Sequence, residues 1–218
     1  MAIETTDDTA TRWYGAEGDP VVVLAHDWNG RLPWIDAFGR RLADEGFRVA
    51  VPDFYAGRST REDAEAGELL QERYADLEGA LHILSETLGE ARAGGSRRAG
   101  VVGFSMGSTI ALMYAAQQPT LDAIVAYYGA PFPGIESGPR VPVLFQLAES
   151  DDWSGREAPE DYRARLEAEG YDDVHVRSYP ASIHGFQNAD VPKYSRDASE
   201  AAWAETKQFL RSRLNREP

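Results

Sequence analysis

The chain contains no cysteine. A disulfide framework, a thiol nucleophile and a cysteine-ligated zinc site are therefore excluded, and the four scattered histidines show no HExxH spacing for a metal. No stretch approaches the roughly 18 apolar residues of a membrane span. The N-terminus MAIETTDDTATRWYG carries acids where a signal peptide would carry bases and an apolar run. A cytoplasmic location without membrane partners is the expectation. Basic residues are also scarce: 22 Lys and Arg against 36 Asp and Glu leave a formal charge of -14. A polyanion such as nucleic acid would be repelled at long range, and no basic stripe compensates. The acids, among them Glu62, Asp63, Glu65, Glu157 and Glu160, read as solvated helix faces and say little about a substrate. Chemistry must come from hydroxyl nucleophiles, carboxylates and imidazole.

What the chain does have is enough apolar material for one core. With 218 residues, 43% hydrophobic and five Trp, it suits a single domain over 1–218, with 1–20 as an N-terminal extension or edge strand. Short β-branched runs with Gly, Pro or Asp borders predict strands at Val21 to Ala25, Arg48 to Val51, Gly100 to Phe104, Ala123 to Tyr128, Val141 to Leu147 and Val174 to Tyr179. Helical spacing predicts Trp34 to Glu45, a long Arg61 to Leu88 segment carrying Leu70, Tyr74, Leu77, Leu81, Leu84 and Leu88, then Ala111 to Gln117, Ala158 to Glu169 and Ser199 to Leu214. The alternation is that of an α/β fold, a mostly parallel, doubly wound sheet with helices on both faces.

Gly103-Phe104-Ser105-Met106-Gly107 closes the strand VVGF and opens a helix expected from Ser108. The bare GxSxG pattern is weak, but its strand-turn-helix context makes it specific. A sharp turn strains the central residue, needs small neighbours and lifts the Ser105 hydroxyl to the mouth of a helix, whose first N–H groups can stabilise an oxyanion. A serine hydroxyl needs a base, and four histidines compete. His82 lies beside the stripe of the long helix, His175 alternates with Val174 and Val176 on a strand, and His26 comes too early in the chain. His184 follows the last strand and precedes the last helix, the place for a base in a Ser…Asp…His order. Between Ser105 and His184, the loop Ala148-Glu149-Ser150-Asp151-Asp152-Trp153 offers the orienting acid. Asp151 is favoured over Asp152, with Glu149 third.

With these residues in place, the chain resembles the dienelactone hydrolase family of α/β-hydrolases from about Val21 to the C-terminal helix. The likeness is carried by His26-Asp27-Trp28-Asn29-Gly30, RRLADEGF, VAVPDFYAGR, VAYYGAP, AESDDW and HGF. It implies the α/β-hydrolase fold, a small ester or lactone substrate, and a monomer or weak homodimer; no motif calls for a metal or organic cofactor. The family's acid loop, glycine then two variable residues then Asp, maps onto Ala148 to Asp151. The backbone N–H after the first-strand carboxylate helps form the family's oxyanion hole, which implies Trp28 beside the N–H of Met106.

Three departures stand out. The family's best-known enzymes use cysteine where this chain has Ser105, which implies a general-base route through His184. The carboxylate after the first strand is usually a Glu that contacts the resting nucleophile. Asp27 is one methylene shorter and is expected to shape the site or face the substrate instead. Dienelactone carries a carboxylate that the family holds with arginines, one of them at the place of Asn188, with Arg58 or Arg73 as candidates for that contact here. Trp28, Tyr55, Trp153 and Phe186, on or near flanking loops, are expected to line an apolar substrate. Two alternatives stay open: a carboxylesterase or thioesterase for larger acyl groups, capped over Ala56 to Ala66, and a catalytically silent ligand-binding fold.

Overall fold

The structure, a computed structural model, describes residues 3–131 and 140–215. In chain order the elements are β1 (Glu4–Thr5), β2 (Arg12–Tyr14), β3 (Val21–Ala25), α1 (Pro33–Asp44), β4 (Arg48–Val51), β5 (Arg58–Ser59), α2 (Asp63–Ala75), α3 (Leu77–Ala93), β6 (Ala99–Phe104), α4 (Met106–Gln117), β7 (Ala123–Tyr127), β8 (Val143–Ser150), α5 (Glu157–Ala168), β9 (Val174–Ile183) and α6 (Arg196–Leu214). Seven strands form one sheet in the order β2-β4-β3-β6-β7-β8-β9, parallel except for the antiparallel edge strand β2. β1 and β5 pair separately as a two-stranded antiparallel ribbon.

Alternation along the strands feeds two apolar layers. Val21, Val23 and Ala25 face a core shared with Leu84 and Leu88 of α3, Ile110 of α4 and Tyr162 of α5. Val22 and Leu24 face a second core with Phe38 of α1 and Trp203 of α6. Both faces are therefore covered, which is why the central strands read as unbroken apolar runs. The order reverses beside β3, with β4 added on one side and β6 on the other, and the carboxyl ends at such a switch point leave a crevice. The Ala25–Gly103 register brings the loops after β3 and β6 to that crevice. At the other end of the sheet, the Ser150–Ile183 pairing sets Asp151 beside His184.

Several boundaries differ from the sequence reading. The long segment breaks at Asp76, whose backbone (φ -130, ψ 60) leaves the helix and whose carboxylate caps α3 by accepting the Gly79 N–H at 3.0 Å. Helix α4 starts at Met106 instead of Ser108, and β9 continues past Tyr179 to Ile183, with a register irregularity opposite Ala148 and Ser150. The edge strand expected within 1–20 is present as β2, while the β1–β5 ribbon was not foreseen because two-residue strands carry no periodicity. Among the described residues no helix is long and apolar enough to cross a membrane.

Candidate active site

Ser105 sits in the N-cap position of α4 with φ 51 and ψ -113, a left-handed backbone that costs a non-glycine residue energy. Packing holds it there. A Cβ on Gly107 would stand 2.0 Å from the carbonyl oxygen of Ala25, and one on Gly103 would stand 2.4 Å from the Ser108 nitrogen. Only glycine on both sides lets β6, α4 and β3 approach this closely. The carbonyl of Tyr127 braces the turn, accepting the Ser105 N–H at 2.9 Å and the Ser108 hydroxyl at 3.1 Å. Although Ser105 occupies a cap position, its hydroxyl caps nothing. It lies 2.9 Å from His184 Nε2.

On its other side the imidazole meets a carboxylate. His184 Nδ1 is 2.9 and 3.0 Å from the two oxygens of Asp151, whose side chain is 3% exposed. Asp151 Oδ1 also accepts the N–H groups of Trp153 (2.9 Å) and Ser154 (2.7 Å), so the carboxylate is fixed from its own loop. Asp152 is exposed, and Glu149 is used elsewhere, accepting the Ala181 N–H at 2.8 Å. The N–H groups of Trp28 and Met106 have no acceptor among the described residues. Trp28 stands on the loop after β3 and Met106 at the first position of α4 after β6, and the sheet register directs both strand ends to the switch-point crevice.

The rings around His184 form one wall. Tyr128 lies 5.0 Å from the imidazole and Trp153 lies 6.5 Å away, while Trp28 meets Trp153 edge-on at 5.3 Å. Trp153 is 68% exposed, the largest open aromatic face beside the site. Tyr128 was not singled out from the sequence, and its positive φ of 35 at the end of β7 leaves no trace in residue type.

A family model for the dienelactone hydrolase family matches residues 10–214. The chain belongs to the dienelactone hydrolase family. It is 30% identical over 210 residues to "Protein usf" of Aquifex pyrophilus, covering 90% of each chain. It is 26% identical to carboxymethylenebutenolidase 1 of Cupriavidus pinatubonensis, over 88% of this chain and 85% of that protein. A dienelactone hydrolase-like promiscuous phosphotriesterase from metagenomic libraries superposes with a TM-score of 0.79 at 19% identity, covering 97% of each chain. The fold is the α/β-hydrolase fold, and the protein is a hydrolase.

For this family member the structure corrects several sequence expectations. Phe186 is fully buried against Tyr127, Tyr128 and Tyr179, because Gly185 (φ 89) turns the chain back into the core. Tyr55 is 1% exposed and packs behind the elbow, its hydroxyl 3.2 Å from the Met106 sulfur. Neither has a face left for substrate. Asp27 is 2% exposed and both its oxygens accept, from the Asn29 N–H (3.0 Å) and Asn188 Nδ2 (2.9 Å), which favours the expected site-shaping place over the substrate-facing one. Burial pushes its carboxyl up to about 6, against the pull of those hydrogen bonds and of the His184 and Lys193 charges. Arg58 is engaged by the Tyr55 carbonyl and Glu72, and Arg73 by Asp76. Among the described residues Lys193 is a cation against the aromatic wall, 5.0 Å over the Trp28 ring and paired with Asp63.

The remaining histidines have structural places. His26 is fully buried: Nδ1–H donates to the Asp27 carbonyl at 2.7 Å, and Nε2 accepts the Phe54 N–H at 3.1 Å. Those partners require the neutral ring, and burial holds its pKa well below the usual value. His82 is exposed on α3, and His175 pairs with Asp173 at 3.1 Å. Among the described residues no group of three His, Asp or Glu is arranged to hold a metal ion.

Proposed function

We propose that this protein, as a single domain, hydrolyses a small ester or lactone through an acyl-enzyme on Ser105. The observation that carries the reading is the unbroken run from Ser105 Oγ to His184 Nε2 at 2.9 Å and from His184 Nδ1 to Asp151 at 2.9 Å. Ser105 Oγ attacks the substrate carbonyl carbon while its proton passes to His184 Nε2. Asp151 keeps the other ring proton on Nδ1 and stabilises the imidazolium. The carbonyl oxygen, now negative, is held by the N–H groups of Trp28 and Met106. Collapse expels the alkoxide, which takes the proton from Nε2. In a lactone the alcohol stays attached to the acyl group. Water then gives a proton to Nε2, attacks the acyl carbon and releases the acid, returning the proton to Ser105.

The half-open wall of Trp28 and Trp153 supports a substrate with an apolar body, bound as a small molecule without a cofactor. A catalytically silent binding fold would have no use for a strained serine whose side-chain partner among the described residues is an oriented imidazole. The test is release of p-nitrophenol from short acyl esters at pH 7 to 8, comparing wild type with Ser105→Ala, together with labelling by a serine-directed phosphonate. Turnover and labelling that both vanish in Ser105→Ala support the reading. A wild type inert to every ester and to the phosphonate overturns it.

A further inference from the structure

Three buried polar side chains below the Ser105–His184 pair take no part in the mechanism above. Asp27, Asn29 and Asn188 are 2, 3 and 0% exposed, so a hydrogen bond lost among them is not replaced by water. Asp27 Oδ1 accepts the N–H of Asn29, two residues on, which closes a turn around Trp28. Asp27 Oδ2 accepts from Asn188 Nδ2, four residues past His184. Asn188 is itself fixed by its N–H to the Gly185 carbonyl at 3.0 Å and by its Oδ1, which accepts the Asp190 N–H at 3.0 Å. On the other flank, Asn29 exchanges two hydrogen bonds with the backbone of Thr60, each 2.9 Å. One carboxylate thus joins two loops 161 positions apart, the first carrying the Trp28 N–H and the second carrying His184.

We propose that Asp27 is the positioning residue of this site: through its hydrogen bonds to Asn29 and Asn188 it holds the Trp28 turn and the His184 loop in one relation, so that oxyanion donor and base address the same carbonyl. The inference rests on the serine-hydrolase reading and deepens it. The residue types fit the task. Closing a turn onto the N–H two residues on requires a short side chain, which Asp has and Glu lacks. A carboxylate also accepts on both oxygens, so neither donor is left unmatched. An asparagine at 27 would instead turn its NH2 against that of Asn188, and Asn188 cannot flip without opposing its NH2 to the Asp190 N–H.

The experiment compares Asp27→Asn, Asn188→Asp and the exchange double variant, reading kcat and KM on an uncharged p-nitrophenyl ester, the rate of phosphonate labelling of Ser105 and the melting temperature. The first variant opposes two amides and the second opposes two carboxylates. The double variant restores one donor and one acceptor at unchanged net charge. Each single variant is expected to lower kcat by about 10- to 100-fold, the size of one lost charge-assisted hydrogen bond, with labelling slowed in parallel and KM within about threefold. The double variant is expected to recover most of the loss. Single variants that keep wild-type kcat, a rise confined to KM, or a double variant no better than the singles would each overturn the proposal. A wild type inert to both ester and phosphonate would instead refute the serine-hydrolase reading beneath it.

Discussion

Replacing Asp151 by asparagine changes one atom, and the surrounding hydrogen bonds dictate which one. Asp151 Oδ1 accepts two backbone N–H groups, from Trp153 at 2.9 Å and Ser154 at 2.7 Å, while Oδ2 faces only His184 Nδ1 at 2.9 Å. The amide oxygen must therefore stay at the Oδ1 position, since an NH2 there would oppose two donors. The NH2 then occupies the Oδ2 position and donates to Nδ1. Nδ1 also stands 3.0 Å from the retained oxygen, but a ring proton there would oppose the NH2 at 2.9 Å, so the tautomer with its proton on Nε2 is favoured; that N–H faces Ser105 Oγ as a donor and cannot accept the serine proton. A base locked in the wrong tautomer costs about 10⁴-fold in kcat, or about 5.5 kcal/mol of transition-state stabilisation. Asp152 is exposed, so Asp152→Asn should stay within about twofold of wild type. The assay is steady-state hydrolysis of p-nitrophenyl acetate at pH 7.5, with melting temperatures to show that both variants fold. An Asp151→Asn enzyme within tenfold of wild type, or a larger loss in Asp152→Asn, would refute the assignment.

Two further perturbations test the scaffold. Gly107→Ala puts a Cβ 2.0 Å from the Ala25 carbonyl oxygen and 2.8 Å from that of His26, both in or beside a central strand that cannot retreat; a loss of about 3 kcal/mol is expected in urea unfolding, and wild-type stability would refute the close-approach argument. Asp27, with its folded pKa raised from 3.8 to about 6, contributes stability that is fully present below pH 3.8 and is lost as pH rises through 6. Asp27→Asn removes that dependence, so its stability relative to wild type should rise by up to ~3 kcal/mol between pH 4 and pH 7, and a difference that stays flat with pH would show that the carboxyl is not held up by burial.

The residues that meet at the crevice were legible because each ends a strand. Parallel strands covered on both faces are continuous apolar runs, and the polar residue that follows each run stands at the carboxyl edge of the sheet. Ser105 after β6 follows that rule; Asp151 and His184 stand beyond the apolar parts of β8 and the edge strand β9, where chain order pointed to them, and the structure brings all three within hydrogen-bond distance. Side-chain direction on loops obeys no such period. Phe186 is two residues from His184 and Tyr55 follows the β4 strand end, yet one glycine with positive φ sends the first inward and the elbow covers the second. The break at Asp76 was hidden for a related reason: leucines spaced by three and four continue across it, while the aspartate's capping bond depends on geometry rather than on apolar rhythm.

The three departures from the family pattern become one adjustment once their contacts are known. A serine hydroxyl must give its proton to a base during attack, so its hydrogen should already point at His184. A carboxylate facing the nucleophile would compete with the imidazole for that hydrogen. In this chain the shorter Asp27 gives one oxygen to its own turn and the other to Asn188, and Ser105 Oγ is left with His184 Nε2 as its hydrogen-bond partner. An arginine at position 188 would bring a long charged group to a place where a fully buried amide now closes the joint. On the serine-hydrolase proposal, serine at 105, aspartate at 27 and asparagine at 188 therefore fit one another: the second and third keep the carboxylate engaged away from the proposed nucleophile, whose proton is then free to pass to His184.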